Sequence, residues 1–182
     1  DWAAALEGVD LGQTPVLVQP GASGLAVTAL LVAHVEASGG RARSLQGCIA
    51  TDPLTELATS GTLARGLDAA WFELAQLTSW SRDFAPSLRT AAVSGQPWRD
   101  AGGSAVQELA FTLAAAVDTL RALGKLGLAV NDVAPRFSVE LALGSDFFME
   151  IAKLRAARLL WEQAVDAFGG SVESQKLHLH AR

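Results

Sequence analysis

Short apolar runs alternate with amphipathic segments of helical spacing along the whole sequence, and this alternation limits the folds that the chain can adopt. The apolar runs predict five strands, at residues 16–18, 44–49, 88–93, 136–141 and 176–181. The amphipathic segments predict helices at residues 25–37, 67–80, 104–123 and 145–168. Strands joined by helices form a parallel sheet, so the pattern predicts an α/β fold. It leaves open a section of a (β/α)8 barrel and a doubly wound sheet.

Residues 147–161 form the strongest helical segment, with the sequence FFMEIAKLRAARLLW. Ser145 or Asp146 can cap its first turn because either side chain can accept a hydrogen bond from a free backbone N–H. Helical spacing predicts a buried apolar face made of Phe147, Ile151, Leu154, Leu159 and Trp161. It also predicts a face open to solvent or to a partner, which carries Glu150, Lys153 and Glu162.

Residues 147–161 closely resemble a helix of the methylmalonyl-CoA mutase family, with nearly the same residue at each position. In that family of adenosylcobalamin-dependent acyl-CoA mutases, this helix follows the sixth strand of the barrel. Four other segments resemble motifs of that family in the same order. They are residues 47–52 for GTIQND, 93–102 for SGYHMQEAG, 134–138 for APRLS and 177–182 for LRTHCQ. Because these landmarks cover almost the whole chain, the sequence is identified as a member of the family.

The resemblance implies both a fold and a domain. It selects the barrel, so we expect an α/β partial (β/α)8 TIM barrel with about strands 3 to 7 and their helices. Residues 1–182 are then part of the substrate-binding TIM-barrel domain of an acyl-CoA mutase, and the cobalamin-binding domain lies outside this segment. We expect a piece of a longer chain, because residue 1 is Asp and Arg182 lies at the end of a predicted strand.

Several substrate contacts that the resemblance implies are missing from this chain. Pro97 stands where the family has the histidine of GYHMQEAG, and Ala50 stands where it has the glutamine of GTIQND. A proline ring offers no hydrogen-bond donor, so we assign no catalytic residue to this chain. Arg136 and Ser138 match the arginine and serine that contact coenzyme A, and they are the candidate substrate-binding residues. His180 matches the histidine of LRTHCQ.

Side chains alternate along a strand, and the last two predicted strands each have one apolar and one polar face. The apolar faces must lie under the helices, so the polar side chains point toward the barrel axis. We expect the axis to be lined by Thr90, Ser94, Glu140, His178, His180 and Arg182, together with Arg136 and Ser138. These groups either surround the pantetheine arm of coenzyme A, as in the family, or pair with one another and fill the space.

Charge and hydropathy disfavour some partners. The formal net charge of −5 disfavours a nucleic-acid partner, which needs a clustered positive surface. The longest apolar run, residues 25–35, is too short for a membrane span, and we expect a cytoplasmic protein. The single cysteine, Cys48, cannot form an internal disulfide, and we expect a small buried side chain there.

Loss of contacts with retention of the scaffold predicts the small, non-catalytic subunit of a methylmalonyl-CoA mutase, the isomerase that interconverts methylmalonyl-CoA and succinyl-CoA. Its partner in a heterodimer would be the catalytic large subunit, which would bind adenosylcobalamin, while this segment would bind no cofactor. Whether the chain binds acyl-CoA stays open. One alternative is an active cobalamin-dependent mutase with altered substrate preference. A distant alternative is a metal-dependent hydrolase that uses His178 and His180, although we predict no metal site.

Overall fold

The computed structural model describes residues 2–182, and its central feature is a parallel sheet of five strands. The strands are β1 (Val16–Val18), β2 (Gly47–Thr51), β3 (Leu88–Ser94), β4 (Phe137–Leu141) and β5 (Leu179–Ala181). Each strand pairs with the next one in sequence, and the sheet curls into half a barrel flanked by helices. A doubly wound sheet reverses its strand order, so this order favours the barrel. The predicted partial (β/α)8 barrel is confirmed.

Eight α-helices flank the strands within residues 2–182. They are α1 (Trp2–Ala5), α2 (Gly24–Ala37), α3 (Pro53–Ser60), α4 (Gly66–Phe84), α5 (Gln96–Asp100), α6 (Ala105–Lys125), α7 (Val130–Val133) and α8 (Phe147–Ala167). The four long helices confirm the four predicted ones, with ends that differ by a few residues. The short helices were missed because one or two turns show little periodicity. In this part of the chain, no helix has the length and hydropathy of a membrane span.

Two strands begin later than the sequence predicts. Residues Ala42–Ser44 form a 3-10 turn, so β2 begins only at Gly47. Gly47 has a φ of 108°, and a side chain at this position would collide with the backbone of Val16 in β1. β5 begins at Leu179 rather than at residue 176, and residues 172–175 before it form turns. The paired stretch is therefore shorter than the apolar pattern indicates.

Polar caps define where α6 and α3 begin. Ser104 accepts the Gln107 backbone N–H at 3.3 Å, and the Gln107 side chain accepts the Ser104 N–H at 3.0 Å, which forms a capping box on α6. Asp52 caps α3 by accepting the Thr55 N–H at 2.9 Å, and Pro53 follows it in the first turn. The sequence Asp52-Pro53 is therefore a signal for the start of α3, although the periodicity of apolar residues did not predict this helix.

The hydrophobic core lies between the sheet and the helices. Its larger cluster packs the outer side chains of β3 and β4 against α4, α6 and α8. Phe137 of β4 contacts Trp161 of α8 there, with ring centroids 5.1 Å apart. A smaller cluster packs Ile49 of β2 against Leu31 of α2. This packing leaves the concave side of the sheet to polar groups.

The orientation of α8 reverses much of its predicted pattern. Glu150 and Lys153, which we expected at the surface, are buried. Three apolar residues that we expected in the core are exposed instead: Phe147, Ile151 and Leu159. Trp161 is buried and Glu162 is exposed, as predicted. The prediction was wrong for these two charged and three apolar residues. A helical pattern assigns charged residues to the solvent side, and it cannot show that Glu150 and Lys153 have buried partners.

Candidate functional site

The concave side of the sheet and the loops at the carboxyl ends of its strands form a cavity of about 590 Å³. All five strands contribute to its wall, and its polar lining residues include Gln19, Asp52, Ser94, Ser138, Glu140, His180 and Arg182. In (β/α)8 barrels the active site lies at this end of the strands. The cavity is therefore the candidate functional site.

A chain of hydrogen bonds centred on Glu140 crosses this cavity. Gln19, which follows β1, donates a side-chain N–H to Glu140 Oε2 at 2.6 Å. Ser94, at the end of β3, donates its hydroxyl to Glu140 Oε1 at 2.8 Å. β2 and β3 separate β1 from β4 in the sheet, so the contact between Gln19 and Glu140 spans the concave side. We call Gln19, Ser94 and Glu140 the crossbar, and its two donors compensate the burial of the carboxylate.

Asp52 ties three loops together at the cavity mouth. Its Oδ1 accepts the Thr55 N–H at 2.9 Å, and its Oδ2 accepts the Ser94 N–H at 2.8 Å. Its own N–H donates to the Gly21 carbonyl at 3.1 Å. Burial raises the pKa of Asp52 to about 6, against the hydrogen bonds from Thr55 and Ser94, and the nearby Glu140 carboxylate adds to the rise. Asp52 therefore acts first as a structural tie.

Replacing Asp52 with Asn is expected to cost more stability at pH 4 than at pH 7. The pKa of about 6 in the folded protein exceeds the ordinary value of 3.8, so Asp52 makes the folded state less stable as the pH rises through this window. Asn carries no charge at either pH. The cost of Asp52→Asn should therefore fall by on the order of 2–3 kcal/mol between the two conditions. Urea unfolding at both pH values measures it.

The matched control for this prediction is Asp118→Asn, at an exposed aspartate on α6. Its cost should be small and the same at both pH values, because the side chain stays in water in both states. A cost of Asp52→Asn that is constant with pH, or that grows toward pH 7, would contradict burial as the main influence on this carboxyl.

A second polar group lies nearer the amino ends of the strands. Ser138 Oγ lies 3.1 Å from His178 Nδ1, and both side chains line a cavity of about 180 Å³ together with Cys48. Burial lowers the pKa of His178, and the positive charge of Arg89 lowers it further, so the imidazole is neutral at physiological pH. Burial raises the pKa of the Cys48 thiol to about 12, so the thiol stays protonated and unreactive. The predicted burial of Cys48 is confirmed.

Two residues that we expected on the axis lie elsewhere. Thr90 is buried against α4, with its hydroxyl 3.0 Å from that of Thr78. The pairing of β3 with β2 shifts register at this point, so the simple alternation of faces does not hold. Arg136 lies in a 3-10 turn before β4 and donates to the Asp132 carbonyl at 2.8 Å. It does not line either axis cavity, because strand alternation does not extend into a turn.

The remaining predicted residues come together on the concave side. They are Ser94, Ser138, Glu140, His178, His180 and Arg182. Pro97 lies in the first turn of α5 on the cavity wall, and Ala50 of β2 faces the same space. Sequence reasoning missed the roles of Gln19 and Asp52. Gln19 follows a strand of three residues, which is too short for its pattern to place the next side chain.

A second charged cluster is buried beside the candidate site. The Lys153 ammonium lies 2.7 Å from Glu108 Oε2 and 2.6 Å from Glu150 Oε2, and it donates to the Ala142 carbonyl at 2.6 Å. Glu108 Oε1 accepts the Ala142 N–H at 2.7 Å, and Arg99 lies 3.7 Å from Glu150 Oε1. We call Arg99, Glu108, Glu150 and Lys153 the buried tetrad. It fixes the residue that follows β4 and joins α5, α6 and α8.

A family model described as methylmalonyl-CoA mutase matches residues 1–182, the full length of the chain. The chain belongs to the methylmalonyl-CoA mutase family. The match confirms the resemblance drawn from the five sequence segments. The family consists of adenosylcobalamin-dependent isomerases, so membership gives the class of reaction but not the part that this chain plays in it.

The chain is similar both to large subunits and to small subunits of methylmalonyl-CoA mutases. It is 33% identical to the methylmalonyl-CoA mutase large subunit of Propionibacterium freudenreichii subsp. shermanii, over 100% of this chain and 25% of that protein. It is 36% identical to the methylmalonyl-CoA mutase small subunit of Streptomyces virginiae, over 91% of this chain and 26% of that protein. It is 32% identical to the methylmalonyl-CoA mutase of Escherichia coli (strain K12), over 93% of this chain and 24% of that protein.

The chain thus spans about a quarter of the length of these mutases. Similarity to a large and to a small subunit is nearly equal, so identity alone does not assign this chain to either type. The assignment has to come from the residues at the cavity.

The residues at the barrel mouth do not fit adenosylcobalamin. The polar groups at this end of the strands already have partners within the chain, since Glu140 accepts from Gln19 and Ser94 and Asp52 accepts the Thr55 and Ser94 N–H groups. The axis histidines are also engaged, His178 with Ser138 and His180 at 4.0 Å from Glu140 Oε2. We therefore assign no cobalamin chemistry to these residues.

The hydrolase alternative depends on His178 and His180, which lie two residues apart at β5. Catalytic zinc sites take three protein ligands. Within residues 2–182, no group of three His, Cys, Asp or Glu side chains is placed to hold a metal ion. The alternative therefore has no ligand set in the part of the chain that the structure describes.

Proposed function

We propose that the full-length protein is the non-catalytic small subunit of a methylmalonyl-CoA mutase and that it supports a catalytic large subunit in a heterodimer. The large subunit binds adenosylcobalamin and carries out the turnover. The crossbar is the observation that carries this proposal. It crosses the concave side of the sheet, where active members of the family are expected to hold the pantetheine arm of coenzyme A.

The chemistry of the cavity also disfavours an acyl thioester. A thioester carbonyl needs a hydrogen-bond donor, and the family's histidine position is occupied by Pro97, which has none. The Asp52 and Glu140 carboxyl groups act as acceptors in the structure, Asp52 from two backbone N–H groups and Glu140 from Gln19 and Ser94, so they supply no donor for such a carbonyl. Gln96, His180 and Arg182 also line the wall and can donate hydrogen bonds, but none of them stands at the position of the family's histidine.

Turnover measurements test the proposal directly. The full-length chain with methylmalonyl-CoA and adenosylcobalamin is expected to form no succinyl-CoA, and its complex with the large subunit is expected to be active. Glu140→Gln in the small subunit should leave the turnover number of the complex within about two-fold, because Glu140 touches no substrate in this arrangement. Turnover by the lone chain would overturn the proposal and favour an active mutase with altered substrate preference.

A further inference from the structure

The buried tetrad contacts the backbone that presents the carboxylate of the crossbar. Ala142 follows Glu140 by two residues, at the end of β4. Its N–H donates to Glu108 Oε1 at 2.7 Å, and its carbonyl accepts from the Lys153 ammonium at 2.6 Å. All of these side-chain contacts are buried. Both polar groups of this peptide segment are therefore fixed, and the position of Glu140 depends on them.

The same tetrad also packs against the turn that follows β3. Gly95 comes directly after Ser94 of the crossbar, and its N–H donates to the Glu140 carbonyl at 2.8 Å. A side chain at Gly95 would come within 2.9 Å of Glu108 Oε1, so glycine is required here by the close approach of the carboxylate. Glu108 thus touches the ends of two strands that each contribute a residue to the crossbar.

Arg99 extends these contacts to α5. Its guanidinium lies 3.7 Å from Glu150 Oε1 and packs over Gly144 in the loop after β4, where a side chain would collide with it. α5 also carries Gln96 and Pro97, which line the cavity wall. Arg99 stands where the motif SGYHMQEAG has glutamine, so this chain has an additional positive charge at the link between α5 and α8.

Two members of the tetrad lie on α8, in the segment that resembles the helix of the family. Glu150 and Lys153 are one turn apart, and their side chains are 6% and 1% exposed. Buried ion pairs contribute little net stability, since well-packed apolar residues do as well. Charged hydrogen bonds differ from apolar contacts because they fix the direction of their partners. Here the partners of Glu150, Lys153 and Glu108 are the segments that form the cavity wall.

We propose that the buried tetrad positions the crossbar and the Pro97 segment, so that α8 sets the shape of the cavity from the helical layer. Glu108, Glu150 and Lys153 are then positioning residues, because they act through Ala142, Gly95 and α5 and line no part of the cavity. The inference goes beyond the small-subunit role, since the wall is held in the same way whether or not the chain turns over substrate.

Hydrogen exchange in variants of the full-length chain tests this inference. Glu150→Gln removes one charge from the α8 side and leaves the pair of Lys153 and Glu108 in place. We expect it to accelerate amide exchange in residues 94–100 at least about 10-fold more than in β2, because only the wall segment loses its support. A loss of stability alone would accelerate the slow amides of both segments together, since they exchange through the same unfolding step.

Trp98 supplies an independent spectroscopic readout of α5. Its ring centroid lies 5.3 Å from that of Phe111, so a displacement of α5 changes the surroundings of the indole. In protein labelled with fluorotryptophan, Trp98→Phe identifies the Trp98 fluorine resonance. Glu150→Gln is expected to shift or broaden this resonance and to leave that of Trp80 on α4 unchanged.

Arg99→Gln tests the link from the side of α5. The Arg99 side chain is 32% exposed, so we expect this variant to fold and to show the same local acceleration. The double variant Arg99→Gln and Glu150→Gln should exchange no faster than about twice the faster single variant, because both substitutions break the same contact. The control is Glu162→Gln at an exposed position of α8, with an expected change below about 2-fold.

Three results would overturn the inference. They are unchanged exchange of residues 94–100 in both single variants, equal acceleration of these residues and β2, and single effects that multiply in the double variant. Each leaves the small-subunit proposal intact, since turnover measurements decide that proposal separately. If circular dichroism shows that Glu150→Gln is unfolded, Arg99→Gln decides alone: selective acceleration of residues 94–100 supports the inference, and its absence overturns it.

Discussion

Replacing Lys153 with Met is expected to lower the free energy of unfolding by about 3–5 kcal/mol, measured by urea unfolding at pH 7. The ammonium is buried between Glu108 and Glu150, and it donates to the Ala142 carbonyl. Without it, two buried carboxylates face each other with only Arg99 nearby, at 3.7 Å from Glu150. An uncompensated buried charge costs far more than the net value of the ion pair.

The control for this substitution is Lys176→Met. Lys176 pairs with Glu173 at 4.0 Å, and both side chains are largely exposed, so its loss should cost less than about 0.5 kcal/mol. Adding Glu108→Gln to Lys153→Met should recover part of the lost stability, because the amide oxygen can still accept the Ala142 N–H while one buried negative charge is removed. Similar costs for Lys153→Met and Lys176→Met would contradict the geometry of the buried tetrad.

Replacing Trp161 with Ala is expected to cost about 3–5 kcal/mol, because it opens a cavity in the centre of the larger core cluster. Trp161→Phe should cost far less, about 1–2 kcal/mol. The indole N–H of Trp161 is buried without a hydrogen-bond partner in the described structure, so its removal sacrifices no bond. Phe also keeps an aromatic ring against Phe137, whose centroid lies 5.1 Å from that of Trp161.

Unfolding measurements on Trp161→Ala, Trp161→Phe and the wild type check this order. Phe72→Ala on α4 is the matched control, since Phe72 is an aromatic residue that is more than half exposed and its truncation should change stability little. Equal costs for Trp161→Ala and Trp161→Phe would show that the indole nitrogen has a partner or that ring size dominates the packing.

The order of elements was predictable because strands and long helices differ in the period of their apolar residues, as β4 and α6 illustrate. The faces of the strands were predictable where alternation is regular, which placed Ser94, Ser138 and Glu140 on the concave side. Thr90 shows the limit, since a register shift between β2 and β3 turns it to the helices. A shift of this kind depends on how two strands pair, and neither strand's own sequence contains it.

The charged residues were the hardest to place. Lys153 and Glu150 have the spacing of a solvent face, and their burial depends on Glu108, which lies more than forty residues earlier in the chain. Gln19 likewise finds Glu140 across the axis only because the sheet curls. Pro97 is different, since its match to the histidine position of the family motif is a prediction from the sequence that needs no coordinates. Polar contacts between residues far apart in the sequence were thus the part of the site that could not be predicted without coordinates.

Calorimetric titration of the full-length chain, without its partner, with methylmalonyl-CoA measures most directly whether the axis is filled by its own side chains. The crossbar predicts no binding up to about 1 mM ligand, because Gln19, Ser94 and Glu140 already pair with one another across the concave side and Pro97 offers no donor at the position of the family's histidine. A dissociation constant in the micromolar range, abolished by blocking the axis with Ala50→Trp, would contradict it and show an open, substrate-binding barrel.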